Sequence, residues 1–232
     1  MLASRWHTGA MSRTEGQLRE VPGGYAKGGA ARQRILEAAL AAFGEGGFKG
    51  ATTRQIAEAA GVNLPALKYY FGGKEGLYLA CAEEIVARYR ARMVEPVVRA
   101  QAMLEARNTP QEARAALKLV VRALAEQMME TREAEAWAGF VLREMAEPGP
   151  AFAILYEQVW APGINIVGYM IGLAGGLRPQ AARIEALLLI SSLSAFGTAR
   201  PVSLQSLGWA DVEGERFEQV MANLERRIDQ LG

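Results

Sequence analysis

The chain has 232 residues, of which 50% are hydrophobic, and its formal net charge is +1. This length allows one large or two modest domains with a buried core. The lone cysteine, Cys81, excludes an internal disulfide and is consistent with a reducing compartment. No run of about 18 apolar residues is available to span a membrane, and residues 1–29 lack the apolar centre of a signal peptide, so we expect a cytoplasmic protein.

Charge is divided unevenly along the chain. Residues 1–78 hold ten Lys and Arg against six Asp and Glu, whereas the remaining residues hold 16 against 19. Only the N-terminal part therefore carries the positive excess that a polyanion attracts. Residues 1–29 show no apolar periodicity, and we expect a disordered tail whose basic residues are either solvated or close to a DNA minor groove.

The first predicted helix covers residues 30–45. Its apolar residues, from Ile35 to Phe43, recur at helical spacing on one face, and Gly46-Gly47 would end the helix. We expect it to support the two short helices that follow.

Residues 52–61 predict a short helix. Thr52 or Thr53 can cap it, Ile56 and Ala60 lie at helical spacing, and Gly61 can adopt the left-handed conformation that ends it.

A second short helix, residues 64–70, follows directly. Asn63 can cap it, and Pro65 is tolerated in the first turn, where its missing N–H costs nothing. Two short helices joined by a turn that contains glycine are typical of a helix-turn-helix motif, whose second helix enters the major groove of DNA.

Nine residues in and beside this helix pair are candidate DNA contacts. Hydroxyl, guanidinium and ammonium groups bond to phosphate oxygens, and a helix N-terminus adds backbone N–H groups. The apolar tip of the second helix can touch thymine methyls but cannot make bidentate hydrogen bonds, so we expect readout to depend on shape or water. The candidates are Thr53, Arg54, Leu64, Pro65, Ala66, Lys68, Tyr69, Tyr70 and Lys74. The alternative is that the aromatic residues belong to the core and the charged residues to a solvated surface.

Residues 32–80 resemble the N-terminal DNA-binding domain of the TetR family of bacterial transcriptional regulators. The motif that carries the resemblance is Thr53-Arg54-x-Ile56-Ala57-x-x-Ala60-Gly61-Val62, followed by Tyr70-Phe71-x-x-Lys74-Glu75-x-Leu77. The resemblance implies phosphate contacts at Thr53, Tyr70 and Lys74, with Arg54 and the tip residues facing the groove. Lys68 departs from the family pattern, which usually has an aromatic or small polar residue there.

Downstream of this motif the pattern remains helical, which predicts an all-α protein of about nine to ten helices. A helix from Gly73 to Val94, broken or kinked at Pro96, would link the DNA contact at Lys74 to the rest of the chain. The further predicted helices cover residues 96–106, 109–130, 133–147, 151–173, 179–196 and 211–231. We therefore divide the chain into a tail (1–29), a helix-turn-helix domain (30–78) and a C-terminal ligand-binding and dimerisation domain (79–232).

The C-terminal part carries a second resemblance, to the CecR (YbiH-like) subgroup of TetR regulators. The segments concerned are Phe140-Val141-Leu142-Arg143-Glu144-Met145-Ala146-Glu147-Pro148-Gly149-Pro150-Ala151-Phe152, Ala199-Arg200-Pro201-Val202 and Leu207-Gly208-Trp209. The resemblance implies a helical domain that senses a ligand and forms a dimer, without naming the ligand.

Apolar and aromatic residues are dense between residues 128 and 160. Helix bundles place ligand cavities between helices, lined by such side chains with a few polar anchors, for which Arg143 and Glu144 are candidates unless they form a structural ion pair. The candidate ligand-binding residues are Met128, Trp137, Phe140, Val141, Met145, Phe152, Tyr156 and Trp160. Plain core packing is the alternative for each of them.

Two predicted helices, residues 151–173 and 179–196, are candidates for a dimer interface. The second is apolar nearly all round, so it needs a partner beyond its own domain. Its candidate interface residues are Leu189, Leu193 and Phe196. A two-fold dimer would suit a palindromic operator.

Together these features predict a homodimeric, DNA-binding repressor that a small apolar effector releases from its operator. A helical protein-binding adaptor with vestigial DNA binding is the alternative. No enzyme is predicted, because the only histidine, His7, lies in the tail and paired carboxylates such as Glu83-Glu84 lie among arginines on helices. No catalytic residue, cofactor or metal is predicted.

Overall fold

The structure, a computed structural model, describes residues 24–129 and 132–231, except for the side chains of residues 24–28 and 132–136. Within these ranges every regular element is helical, which confirms the predicted all-α class. The helices in chain order are α1 (Gly24–Gly50), α2 (Thr53–Ala59), α3 (Leu64–Phe71), α4 (Lys74–Ala106), α5 (Pro110–Met129), α6 (Arg132–Ala146), α7 (Phe152–Leu155), α8 (Ala161–Gly175), α9 (Pro179–Leu193), α10 (Arg200–Leu207) and α11 (Glu215–Asp229). A π-helical turn, Tyr156–Trp160, joins α7 to α8. Of the predicted tail, residues 1–23 lie outside the described residues, and residues 24–29 belong to α1.

Helix α1 is interrupted at Gly47, where φ and ψ are not helical, as the two glycines predict, and a short helical piece follows up to Gly50. The chain bends at Gly47, whose φ of 66° lies in the left-handed region that glycine adopts without strain. The N–H of Ala51 then donates to the Gly47 carbonyl at 3.2 Å. Gly47 therefore redirects the chain within α1.

Local hydrogen bonds fix the start of α2 and of α3 as the sequence predicts. Thr52 Oγ1 accepts from the N–H of Gln55 at 3.2 Å, and Gln55 Oε1 accepts from the N–H of Thr52 at 3.1 Å, which completes a capping box. Asn63 Oδ1 accepts from the N–H of Ala66 at 2.9 Å. Gly61, with a φ of 63°, makes the turn between the two helices.

Helix α4 is continuous through Pro96, so of the predicted break or kink the break is wrong. On either side of the proline, Met93, Val97 and Ala100 are buried among the C-terminal helices. Their burial outweighs the backbone hydrogen bond that proline cannot donate. Since α4 has 33 residues, it spans about 50 Å at 1.5 Å per residue.

Two features of the C-terminal half differ from the prediction. The helix expected at residues 151–173 is present as one continuous helical stretch, Phe152–Gly175, but it contains a π-helical turn that the sequence does not predict. Pro162 has no N–H, and in the turn before it the N–H of Ala161 donates to the Tyr156 carbonyl. The prediction also lacks α10, because Pro201 suggests a break, although proline is tolerated in the first turn of a helix.

The buried side chains form two clusters that share α4. The first, here called the N-terminal core, packs α1 to α3 on the first half of α4 and contains Phe43, Ile56 and Leu67. The second, the C-terminal core, packs the second half of α4, from Met93, with α5, α8, α9 and α11. Tyr89 contacts both clusters, so α4 is part of each.

Helix α6 lies in the C-terminal half of the sequence but packs on α1. Where the two helices cross, a Cβ added to Gly139 would lie 2.9 Å from the carbonyl oxygen of Gly44, so the close approach requires glycine. Trp137 and Phe140 of α6 lie in the N-terminal core. The packing of α6 therefore joins the C-terminal half directly to the helix-turn-helix.

Candidate DNA-binding site

Helix α3 presents one side to the interior and the other outward. Leu67 is buried in the N-terminal core, whereas Leu64, Pro65, Lys68 and Tyr69 are exposed. Tyr69 is 83% exposed, although an aromatic ring gains free energy from burial. We call these four exposed residues the α3 face; it is available to a partner outside the chain.

The other predicted DNA contacts border the α3 face. Thr53 and Arg54 are the first two residues of α2. Arg54 is exposed, whereas Thr53 and Ala66 are partly exposed. The half-buried ring of Tyr70 contacts the ring of Tyr69, with 5.2 Å between their centroids. The structure thus brings the nine predicted residues together on α2, α3 and the first residue of α4, and none of the nine is fully buried.

Lys74, the first residue of α4, has two neighbours from the end of α1. Its Nζ donates to the Lys49 carbonyl at 3.4 Å and lies 5.0 Å from the centre of the Phe48 ring. A cation above an aromatic face is attracted by the quadrupole of the ring. Phe48 therefore helps to determine where the Lys74 ammonium lies beside α3.

Two basic residues beside this site are missing from the sequence-based set. The Arg32 guanidinium lies 5.3 Å from the centre of the Phe71 ring, at the end of α3. Lys49 is exposed next to Lys74. Both contribute to the basic excess of the N-terminal part, but only the packing of α1 brings them to the recognition helix.

The candidate ligand-binding residues are distributed over several places. Met128 packs against the C-terminal core. Trp137 and Phe140 lie in the N-terminal core, with Val141 packed against it, because α6 docks on α1. Met145 is exposed. The eight candidates therefore do not share a single lining.

Three of these candidates form an aromatic cluster. The ring of Phe152 lies 5.8 Å from that of Tyr156, with 9° between their planes, and 5.5 Å from that of Trp160, edge to face. Tyr156 is half-exposed, whereas Leu155 and Val159 on the same turns are buried in the N-terminal core. We call Phe152, Tyr156 and Trp160 the aromatic cluster.

Arg143 and Glu144, considered as effector anchors or as an ion pair, bind other partners. Arg143 Nε donates to the Gly44 carbonyl at 2.8 Å, and its Nη2 donates to the carbonyl of Glu45. Glu144 Oε1 accepts from the hydroxyl of Tyr78 at 2.6 Å. Burial and the neighbouring Glu144 carboxylate hold the pKa of the Tyr78 phenol above its usual range.

The residues predicted for a dimer interface face the interior of their own chain. Leu189 and Leu193 are 7% and 1% exposed and lie in the C-terminal core. Phe196 is partly buried and its ring stacks on Trp209, with 6.2 Å between centroids. The helical period places Leu189 and Leu193 on the side of α9 that packs on α5 and α8.

The apolar residues that α9 exposes are not the ones predicted for the dimer interface. They are Ile184, Leu187 and Leu188, the last of which is 56% exposed, and we call them the α9 face. A groove of about 380 Å³ lies between α8 and α9, and its lining includes Tyr169 and Arg183. The α9 face and this groove leave apolar surface uncovered in a single copy of the chain.

Across residues 24–129 and 132–231, no helix taken singly has the length and apolar content needed to cross a membrane. The helical stretches Phe152–Gly175 and Pro179–Leu193 have that length and apolar content only when they are taken together, and the chain bends by 115° between them.

The fold combines a capped helix pair, whose second helix faces outward, with a continuous connecting helix and a larger helical domain. This combination defines a DNA-binding protein of the helix-turn-helix class. Residues 35–81 match the family model of bacterial regulatory proteins of the TetR family, and residues 113–231 match that of the C-terminal domain of the HTH-type transcriptional dual regulator CecR. CecR of Shigella flexneri is 33% identical over 208 residues, which cover 88% of this chain and 92% of that protein.

Solved structures show the same fold. FadR of Bacillus subtilis in complex with stearoyl-CoA superposes with a TM-score of 0.58 at 17% identity, covering 85% of this chain and 97% of that chain. AibR in complex with isovaleryl coenzyme A and operator DNA superposes with a TM-score of 0.57 at 14% identity, with the same coverage of 85% and 97%. The chain belongs to the TetR family of bacterial regulatory proteins, with a C-terminal domain of the CecR type. It is a DNA-binding transcriptional regulator rather than an enzyme.

Proposed function

We propose that two copies of this chain bind a palindromic operator in the cytoplasm and repress transcription until a small apolar effector binds the C-terminal domain. The observation that carries the proposal is the α3 face, where Tyr69 is 83% exposed beside Lys68 on a helix whose other side is buried. An exposed aromatic hydroxyl and a cation on a recognition helix fit phosphate and base edges.

The residues around the α3 face supply the phosphate contacts in this proposal. Thr53, Arg54 and Lys74 lie on the N-terminal residues of α2 and α4, so their side chains are accompanied by the free N–H groups of two helix starts. Tyr70, at the end of α3, adds a hydroxyl. These contacts fix register, and Leu64, Pro65 and Ala66 at the tip of α3 then lie closest to the bases.

The aromatic cluster supports an apolar or planar effector. Phe152 and Tyr156 offer parallel ring faces, and Tyr156 is half-exposed on a π-helical turn, a feature that recurs at functional sites. FadR and AibR, which share the fold, are bound to acyl-coenzyme A molecules. An effector with an apolar acyl or aromatic part is the class we propose for this chain.

The α9 face supports a two-fold dimer through α8 and α9. Ile184, Leu187 and Leu188 expose contiguous apolar surface beside the groove between the two helices. A second copy would cover this surface with its own α8 and α9. The two-fold symmetry of such a dimer suits a palindromic operator whose half-sites lie about 34 Å, one turn of DNA, or more apart.

The test is binding of the purified protein to its own upstream intergenic DNA over a salt series, with Tyr70→Ala and Lys74→Ala as variants. Arg99→Ala is the matched control, because it removes a cation of α4 whose side chain is 65% exposed and which lies about 37 Å along the helix from Lys74. Selective, salt-sensitive binding that both site variants lose and the control keeps is the expected result.

If the wild-type protein shows no preference for this intergenic DNA over random DNA, either the operator lies elsewhere or the helix-turn-helix is vestigial, and the protein-binding adaptor becomes the better hypothesis. The effector is tested separately by titrating anilinonaphthalene sulfonate, a planar apolar probe, into wild type and Tyr156→Ala. Tighter binding to wild type supports the aromatic cluster as the effector site; equal binding contradicts it.

A further inference from the structure

A buried carboxylate of the C-terminal half contacts a residue of α4 near the DNA-binding site. Glu144 of α6 is 2% exposed. Its Oε1 accepts from the hydroxyl of Tyr78 at 2.6 Å, and its Oε2 accepts from the N–H of Gly149 at 3.1 Å. A carboxylate is costly to bury unless its oxygens are hydrogen-bonded, so these two bonds fix Glu144 in place.

Tyr78 is the centre of a group of packed rings. Its ring centroid lies 4.7 Å from that of Phe43, 5.0 Å from that of Phe48 and 4.6 Å from that of Phe140. Tyr78 is itself 2% exposed. In a close-packed interior a ring held on several sides cannot shift without moving its neighbours, so the position of Tyr78 determines the position of Phe48.

Phe48 connects this group to the surface. It follows the bend at Gly47, and the Lys74 ammonium lies 5.0 Å from the centre of its ring. Lys74 and Tyr78 are four residues apart on α4 and therefore lie on one side of that helix. A continuous line of contacts thus runs from Glu144 through Tyr78 and Phe48 to Lys74.

Arg143 supports the same arrangement from the neighbouring position on α6. Its guanidinium donates to the carbonyls of Gly44 and Glu45, immediately before the bend that leads to Phe48. Adjacent residues of α6 therefore hold both the end of α1 and the first turns of α4.

We propose that Glu144 is a positioning residue for operator binding: through Tyr78 and Phe48 it fixes the place of the Lys74 ammonium against a DNA phosphate. The inference rests on the proposed function. Gly149, the other partner of Glu144, lies three residues before Phe152, so the segment that carries the aromatic cluster begins at this carboxylate. An effector bound there acts on the contact that positions Lys74.

The test is a mutant cycle on DNA affinity. Wild-type protein selects a duplex from a random pool, and the dissociation constant for that duplex is measured for Glu144→Gln, Tyr78→Phe and Lys74→Ala, singly and in pairs. Glu144→Gln and Tyr78→Phe are each expected to weaken binding about three- to tenfold. In the Lys74→Ala background neither change should weaken it further, because the residue they position is absent.

Arg122→Gln is the control for a merely structural effect. Arg122 of α5 makes a hydrogen-bonded ion pair with Glu218 of α11 at 2.7 Å, away from the helix-turn-helix. Its loss is expected to lower the thermal midpoint without changing DNA affinity when all proteins are measured well below their midpoints.

Equal weakening by Glu144→Gln with and without Lys74, or no weakening in either background, overturns the proposal. If Glu144→Gln does not fold, Tyr78→Phe decides alone, since it removes only a hydroxyl and keeps the ring. A pool from which the wild type enriches no sequence contradicts the proposed function itself, and that outcome is reached before any variant is compared.

Discussion

The α3 face and the α9 face are both outer sides of helices whose inner sides are buried, but their side chains differ. Lys68 and Tyr69 give the α3 face a cation and a hydroxyl, whereas Ile184, Leu187 and Leu188 give the α9 face hydrocarbon. A basic surface attracts a polyanion through charge, which salt screens, and an apolar surface attracts another apolar surface through the loss of ordered water. In the proposed function, these two outward helix sides would therefore bind partners of different chemistry, DNA and a second copy of the chain.

The largest expected difference between the two surfaces is the effect of salt on the affinity of each for its partner. If Arg54, Lys68 and Lys74 of both copies contact phosphates, operator affinity is expected to fall about 1,000-fold between 50 and 200 mM salt. The dimer dissociation constant should change much less over that range, because Ile184, Leu187 and Leu188 of the α9 face are hydrocarbon side chains. Fluorescence anisotropy and sedimentation measure the two quantities, and a dimer as salt-sensitive as the DNA complex would contradict the comparison.

A charge within the α9 face should have the next largest effect. Leu188→Asp is expected to raise the dimer dissociation constant about 100-fold, because a carboxylate would be buried against hydrocarbon. Operator affinity should fall with it, because one copy engages only one half-site. Val98→Asp changes an exposed valine of α4 in the same way and should leave the dimer intact; a Leu188→Asp protein that sediments as a dimer would rule out this interface.

Removing a single cation from the α3 face should have a smaller effect. Lys68→Ala is expected to weaken operator binding about tenfold and to reduce the slope of log affinity against log salt by about 1.8, since a dimer loses two phosphate contacts. Dimerisation should be unchanged. Arg99→Ala is the matched control, and an unchanged salt slope in Lys68→Ala would mean that this side chain does not contact phosphate.

A substitution in the core beneath the α9 face should change the stability of the fold but neither DNA binding nor dimerisation. Leu193→Ala is expected to lower the free energy of unfolding by about 2–5 kcal/mol, because Leu193 is buried in the C-terminal core. Urea titration in the monomeric Leu188→Asp background measures this without a contribution from dimerisation. Leu187→Ala in the same background should stay within about 0.5 kcal/mol of its parent; a larger loss would place Leu187 in the core.

Local signals in the sequence were sufficient for the helix-turn-helix. Thr52 and Asn63 cap α2 and α3, and Thr109 Oγ1 accepts from the N–H of Glu112 at 3.2 Å at the start of α5. Each of these bonds joins residues three apart, so short-range sequence determines it. The family and its regulatory function were predicted from the TetR and CecR resemblances, and the matches to the two family models confirm them.

The sequence could not decide which side of α9 is internal. Leu188 and Leu189 are adjacent and chemically identical, yet one is exposed and the other lies in the C-terminal core. A helix that is apolar nearly all round has no periodic signal to distinguish its own core from a surface that a partner covers. The prediction therefore named residues of α9 that face inward.

By itself the sequence determined the all-α class, the capped helix pair and the basic residues in and beside the recognition helix, because these depend on neighbours within a few positions. Only the tertiary structure decided that α6 docks on α1, that Pro96 stays within α4, and that Glu144 bonds to Tyr78. Those outcomes depend on contacts between residues far apart in the chain, where burial and close packing outweigh local preference.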